Sequence, residues 1–139
     1  MKKYILLATI FITTVGYAKT NIEVQGFWAR DRLTLDLTAR TSSDMLCTVA
    51  NWADSAASNY RWTFCGNWNS KTNSMTYKDA WKVHRTSNDN WQNAKEKLEY
   101  MNGTGKIYLK NNKLYWIADK EHNCLHSEED YSNCQMQRY

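Results

Sequence analysis

The residues of this chain best suited to chemistry fall in small groups, and each group lacks a partner its reaction needs. His122, Cys124 and His126, followed by Glu128, Glu129 and Asp130, are metal-ligating types, and imidazoles four apart share a face on a helix. No second ligand pair follows at zinc-site spacing and an oxidised Cys124 would not ligate, so no metal is expected. His84 with Asp79 or Asp89 could exchange a proton, but no nucleophile accompanies them, and Ser55 and Ser58 lie in no Gly-x-Ser-x-Gly turn. Glu96 and Glu99, three apart, point to different faces of a strand and do not form the facing carboxylates of glycoside hydrolysis. A glycine-rich phosphate loop is also missing from the sequence, so the expectation is a protein with no catalytic residues and no cofactor.

Aromatic residues in polar surroundings read differently. Trp68 stands beside an Asn-rich turn and Trp91 lies within Ser87-Asn88-Asp89-Asn90-Trp91-Gln92-Asn93, where burial is less automatic than on a strand. Exposed tryptophan is a common anchor in recognition, although such a ring can also fold back and plug a barrel end. With Tyr60 and the neighbouring cations Arg61 and Lys71, these two are the candidate binding residues.

The elements that must position them are written in composition and pattern. The chain has 139 residues with seven Trp, nine Tyr and three Phe, five Gly and no Pro, enough for one modest aromatic-rich core. Lys2 and Lys3, an apolar stretch from Tyr4 to Val15, and Gly16-Tyr17-Ala18 make an export signal, with cleavage expected after Ala18 and a single domain over 19–139. The first cysteine is Cys47, so no lipid attachment follows the signal, and no later segment is apolar enough to span a bilayer. The product is expected to be periplasmic or secreted, without a membrane anchor. Cleavage removes two of the 18 Lys and Arg against 14 Asp and Glu, lowering the formal charge from +4 to +2. Arg61 beside Trp62 and Lys82 beside Trp81 are similar to base-stacking platforms, but without a basic block no nucleic acid is expected.

In an oxidising compartment the four cysteines imply two disulfides, and four cysteines allow three pairings. A hairpin of 45–52 with 60–66, turning near Ala56, puts Cys47 opposite Cys65 and leaves Cys124 with Cys134; this is the preferred arrangement.

Leu33 to Thr38 alternates apolar and polar residues, the period of a half-buried strand. Met45–Trp52 and Tyr60–Trp68 follow, with Tyr60, Trp62, Phe64 and Trp68 sharing a face. Alternation resumes at Met75-Thr76-Tyr77 and continues through Trp81 and Val83. Thr86 to Ala94 reads as a loop. Leu98-Glu99-Tyr100 and Lys106–Lys110 are strand-like, separated by a bulge or bend at Gly103-Thr104-Gly105. Asn111-Asn112 suits a two-residue hairpin turn before Leu114–Ala118, and beyond Glu121 a loop with a short helical turn is expected. The fold expected is all-β: an antiparallel meander closed into a small six- to eight-stranded barrel, disulfide-stabilised, with a two-layer sandwich as the alternative.

Gly26-Phe27-Trp28 has the Gly-x-Trp form that opens calycin barrels. With Trp52-Ala53-Asp54-Ser55-Ala56, Trp62 to Asn69, Met75-Thr76-Tyr77, Gly103 to Tyr108 and Leu114-Tyr115-Trp116, the chain over about 26–120 resembles small exported bacterial calycin-like domains of the lipocalin and avidin type, a likeness that implies a barrel and names no activity. Trp28 and Leu33, an odd number of residues apart, can both face inward along one strand only if a bulge lies near Arg30 to Arg32. Ser55 to Tyr60 is similar to the Ser-rich loop of periplasmic lysozyme-inhibitor barrels, but lacks the glycine after the first serine and that family's Lys-Gly element. These readings lead to an expectation of a binding protein, an inhibitor or immunity protein whose partner is a cell-wall-degrading hydrolase or a toxin. The alternative is a carrier of a small apolar or aromatic ligand, which would need a lumen lined by small residues.

Overall fold

A computed structural model describes residues 22–40, 44–88, 90–121 and 135–138. The expected export signal, Asp89, the His122–Asp130 group and the expected Cys124–Cys134 pairing lie outside the described residues. Eight antiparallel strands form one ring: β1 (Gly26–Arg30), β2 (Leu33–Ala39), β3 (Met45–Ser55), β4 (Ser58–Asn67), β5 (Ser74–Thr86), β6 (Lys95–Lys110), β7 (Lys113–Ala118) and β8 (Gln135–Arg138). Each pairs with its neighbour in sequence and β8 pairs back onto β1, so the meander closes as a barrel.

Turn chemistry sets the phase of each pair. Asp31, at φ 49°, opens the two-residue link between β1 and β2, while Asn111 and Asn112, at φ 53° and 60°, form the expected turn between β6 and β7. Trp28 and Leu33 both face inward, and the reason is this first turn and not a bulge within one strand: Trp28 lies opposite Leu35, and Leu33 opposite Arg30. The β3–β4 register places Cys47 opposite Cys65, Ala50 opposite Trp62 and Trp52 opposite Tyr60, and the Cys47–Cys65 disulfide is formed on the face turned away from the core.

Trp28, Trp62, Phe64, Tyr77 and Trp116 fill the interior. Phe64 stacks on Tyr77 with ring centres 3.8 Å apart, Trp62 meets Trp116 edge-on at 5.3 Å, and Trp116 Nε1 donates to the Tyr77 hydroxyl at 2.9 Å. Each such ring removes roughly 150–250 Å² from water, worth roughly 4–6 kcal/mol before ordering costs, so the aromatic strand faces drive closure.

Three expectations need correction. The bulge expected at Gly103 to Gly105 is present in the ladder, where the register shifts between Tyr77 opposite Gly105 and Ala80 opposite Gly103, but its extra residue is on β5 and β6 runs unbroken from Lys95 to Lys110. Gly105 is needed instead for close approach: a β-carbon there would collide with the Ile117 carbonyl oxygen and the Tyr77 hydroxyl. The tail is not all loop, since Gln135–Arg138 is the closing strand, with Met136 buried opposite Leu114 and Arg138 opposite Trp28. Four residues with one buried apolar side chain carry too little periodicity to announce a strand.

The third correction concerns β5. Asp79, at φ 63°, is an extra residue against β6: Tyr77 pairs with Gly105 and Ala80 with Gly103. The bulge reverses the alternation, so Ala80 is buried and Trp81 is 51% exposed.

Candidate binding site

The structure divides the five candidate residues between the two rims of the barrel. One rim carries the β1–β2 and β3–β4 turns and the link from β5 to β6; the other carries the β4–β5 and β6–β7 turns. Trp68 lies at the second rim, packed into the core and only 8% exposed, and Lys71 stands beside it on an open polar cleft with Asp44, Asn69 and Thr72. Trp68 is thus a plug and not a presented ring. Tyr60, Arg61 and Trp91 are together at the first rim, but on two sides of the sheet.

Tyr60 belongs to the inner side. β4, β5 and β6 place Trp62, Lys82 and Tyr100 in one cross-strand row, with Tyr60 and His84 in the next. The Lys82 ammonium lies 4.8 Å from the Tyr60 ring centre, 5.1 Å from Trp62 and 5.8 Å from Tyr100, and 2.8 Å from a Glu121 oxygen. The other Glu121 oxygen accepts from the Tyr100 hydroxyl at 2.6 Å and from Trp62 Nε1 at 3.2 Å. With side chains 15% and 12% exposed, Lys82 and Glu121 are an ion pair whose charges are nearly fully enclosed by rings and donors.

Burial, the hydrogen bond its neutral hydroxyl donates to Glu121, and that carboxylate's charge push Tyr100 well above the ordinary tyrosine range. Burial raises Tyr77 likewise, partly offset by the Trp116 N–H. Tyr60 is raised by burial and then by the charges of Asp54, Glu99 and Glu121. All three hydroxyls are built to stay neutral.

His84 stacks on Tyr60 with centres 4.5 Å apart, and its Nε2 is 2.7 Å from Ser58 Oγ. This supplies the hydroxyl that the sequence pairing of His84 with an aspartate lacked. In a Ser-His-Asp triad a carboxylate orients the far ring nitrogen, and among the described residues none is hydrogen-bonded to His84. The described residues also hold no group of three or more His, Cys, Asp or Glu able to bind a metal.

Arg61 and Trp91 belong to the outer side. Trp81, Val83 and Arg85 alternate outward along β5, with Arg61 on β4 and Leu98 on β6 directly across from Val83, and Glu96 across from Arg85. Arg61 Nη2 and Arg85 Nε both donate to Glu96 Oε1, at 2.8 and 3.0 Å. Arg85 lies 5.6 Å from the Trp91 ring centre, and Asn90 caps the short 3-10 turn Trp91–Asn93 by accepting from the Gln92 N–H. The result is an apolar strip, exposed at Trp81 and Leu98 with half-buried Val83 between them, ended by two arginines, one carboxylate and the Trp91 indole.

Sequence reasoning missed Trp81, Leu98 and Arg85. Regular alternation from Met75 assigns Trp81 to the core, and only the positive φ tolerated by Asp79 could have signalled the reversal. Compared with protein-family models, curated proteins and solved structures, the chain matches none. The calycin-like and lysozyme-inhibitor resemblances therefore stand on the quoted residues alone.

Proposed function

We propose that this protein acts by binding another protein through the outer face of β4, β5 and β6 at the first rim, and that it is an exported inhibitor or immunity protein occluding a cell-wall-degrading enzyme or toxin. The observation that carries this reading is the exposure of Trp81 and Leu98 beside the Arg61–Glu96–Arg85 group. Large rings and arginines at one place are the usual composition of an interface centre. The interior supports it from the other direction: five large rings occupy the lumen that a carrier would need empty. A disulfide is compatible with export, and no helix among the described residues is long and apolar enough to cross a membrane. Two cations facing one carboxylate suit the acidic clefts of glycan-cleaving enzymes.

The test is residual activity of a panel of purified wall hydrolases, lysozymes and lytic transglycosylases included, incubated with the protein. Stoichiometric inhibition of one member, lost in Trp81→Ala and Leu98→Asp variants, is the expected result. Unchanged activity across the panel, with a small molecule recovered from the purified protein, would favour the carrier.

A further inference from the structure

Resting on that reading, we infer that the outer patch recognises an acidic segment of its partner, a carboxylate next to an apolar side chain, and that Glu96 is the internal stand-in which the partner's carboxylate exchanges with or joins.

Charge is the first argument. Arg61 and Arg85 converge on the same Glu96 oxygen, so two positive groups face one negative group and the cluster keeps a net positive charge. Arg61 engages through Nη2, and its planar fork has donors for a second acceptor. Arg85 is held from behind by the Trp91 carbonyl and ring, so it is already oriented before any partner arrives.

Exposure is the second. The Glu96 side chain is 49% exposed, against 35% for Arg61 and 20% for Arg85, so the carboxylate is the outermost member and the arginines line the floor. Ion pairs this exposed contribute little net stability, and exchange for an equivalent carboxylate is close to neutral. Continuity is the third. The apolar strip begins at the same arginines, with Arg61, Val83 and Leu98 in one cross-strand row and Trp81 next along β5. A partner side chain lying on Trp81 and Leu98 would set an adjacent carboxylate at the fork, the geometry that makes an aromatic and arginine cluster a centre of affinity.

The experiment is an NMR titration of the intact protein with a blocked peptide alternating Glu and Leu, with the matched Gln and Leu peptide as control. Shifts confined to the Arg61 and Arg85 Nε–H and the Trp81 and Trp91 indoles are expected with the acidic peptide, weakening as salt is raised. Glu96→Gln should tighten binding roughly two- to fivefold by removing the competitor, and Arg61→Ser with Arg85→Ser should abolish it while thermal unfolding stays near wild type. Equal shifts with the neutral peptide, or no change in the Glu96→Gln protein, would overturn the inference. A hydrolase inhibited equally well by the double-serine variant would overturn it and leave the inhibitor reading intact. Binding of the acidic peptide at the patch with no hydrolase inhibited would do the reverse.

Discussion

Tyr77 and Trp81, four residues apart on one strand, point to opposite sides of the sheet. Regular pleating would put them on the same side, and the extra residue Asp79 at φ 63° separates them. The outward placement of Trp81, Val83 and Arg85 depends on that one backbone conformation.

Replacing Asp79 should therefore test the patch and the fold together. Asp79→Val should cost about 1–2 kcal/mol, because a β-branched residue resists positive φ, whereas Asp79→Gly should be near neutral. Urea unfolding measures both, and Trp81 quenching by acrylamide reports whether the ring still faces solvent.

Gly105 is the most closely approached of the described glycines. Gly105→Ala should lower stability by about 3 kcal/mol, since the new methyl meets backbone at Ile117 as well as the Tyr77 ring, and backbone cannot rotate away. Thermal unfolding beside Gly26→Ala, where the nearest side chain is 3.9 Å away and only backbone strain at φ 120° acts, separates collision from conformation.

Lys82 and Glu121 should behave as one unit. Lys82→Met or Glu121→Gln alone should each cost about 2–3 kcal/mol by leaving an enclosed charge without its counter-ion, a figure reduced from fully buried pairs because both retain some solvent. The double variant should cost less than the sum, with a coupling of at least about 1 kcal/mol in the cycle.

Alkaline stability follows from the tyrosines. Tyr60, Tyr77 and Tyr100 hold their protons in the native state above the ordinary value of 10.0, while the unfolded chain releases them there. The native preference is fully present below pH 10.0 and is lost as pH rises through the raised native values. Chemical unfolding midpoints should be flat up to about pH 10 and fall beyond it, and a Tyr100→Phe variant should show a shallower fall.

Removing the Cys47–Cys65 bond, by reduction or by paired Cys→Ser substitution, should cost about 3 kcal/mol, as expected for a crosslink spanning a separation of 18 residues. Denaturant midpoints with and without reductant check it, and the β3–β4 register should survive because it is also held by the Ala50–Trp62 and Trp52–Tyr60 pairs.

By itself the sequence determined the antiparallel strand meander: period-two faces such as Leu33 to Thr38, Asn-Asn at the β6–β7 turn, and the hairpin register that sets Cys47 against Cys65 are local properties, readable because strand alternation and turn dihedrals depend on near neighbours. Trp91, a tryptophan within a polar loop, and Arg61, a cation beside Tyr60, are legible as candidates for the same local reason. Only the tertiary structure decided that Trp68 is a plug, that Lys82 and Glu121 meet inside the mouth, that Ser58 reaches His84, and that Trp81 and Leu98 stand with two arginines on the outside. These depend on register shifts between β5 and β6 and on barrel closure by β8, where one inserted residue exchanges inside for outside and no local pattern records the exchange.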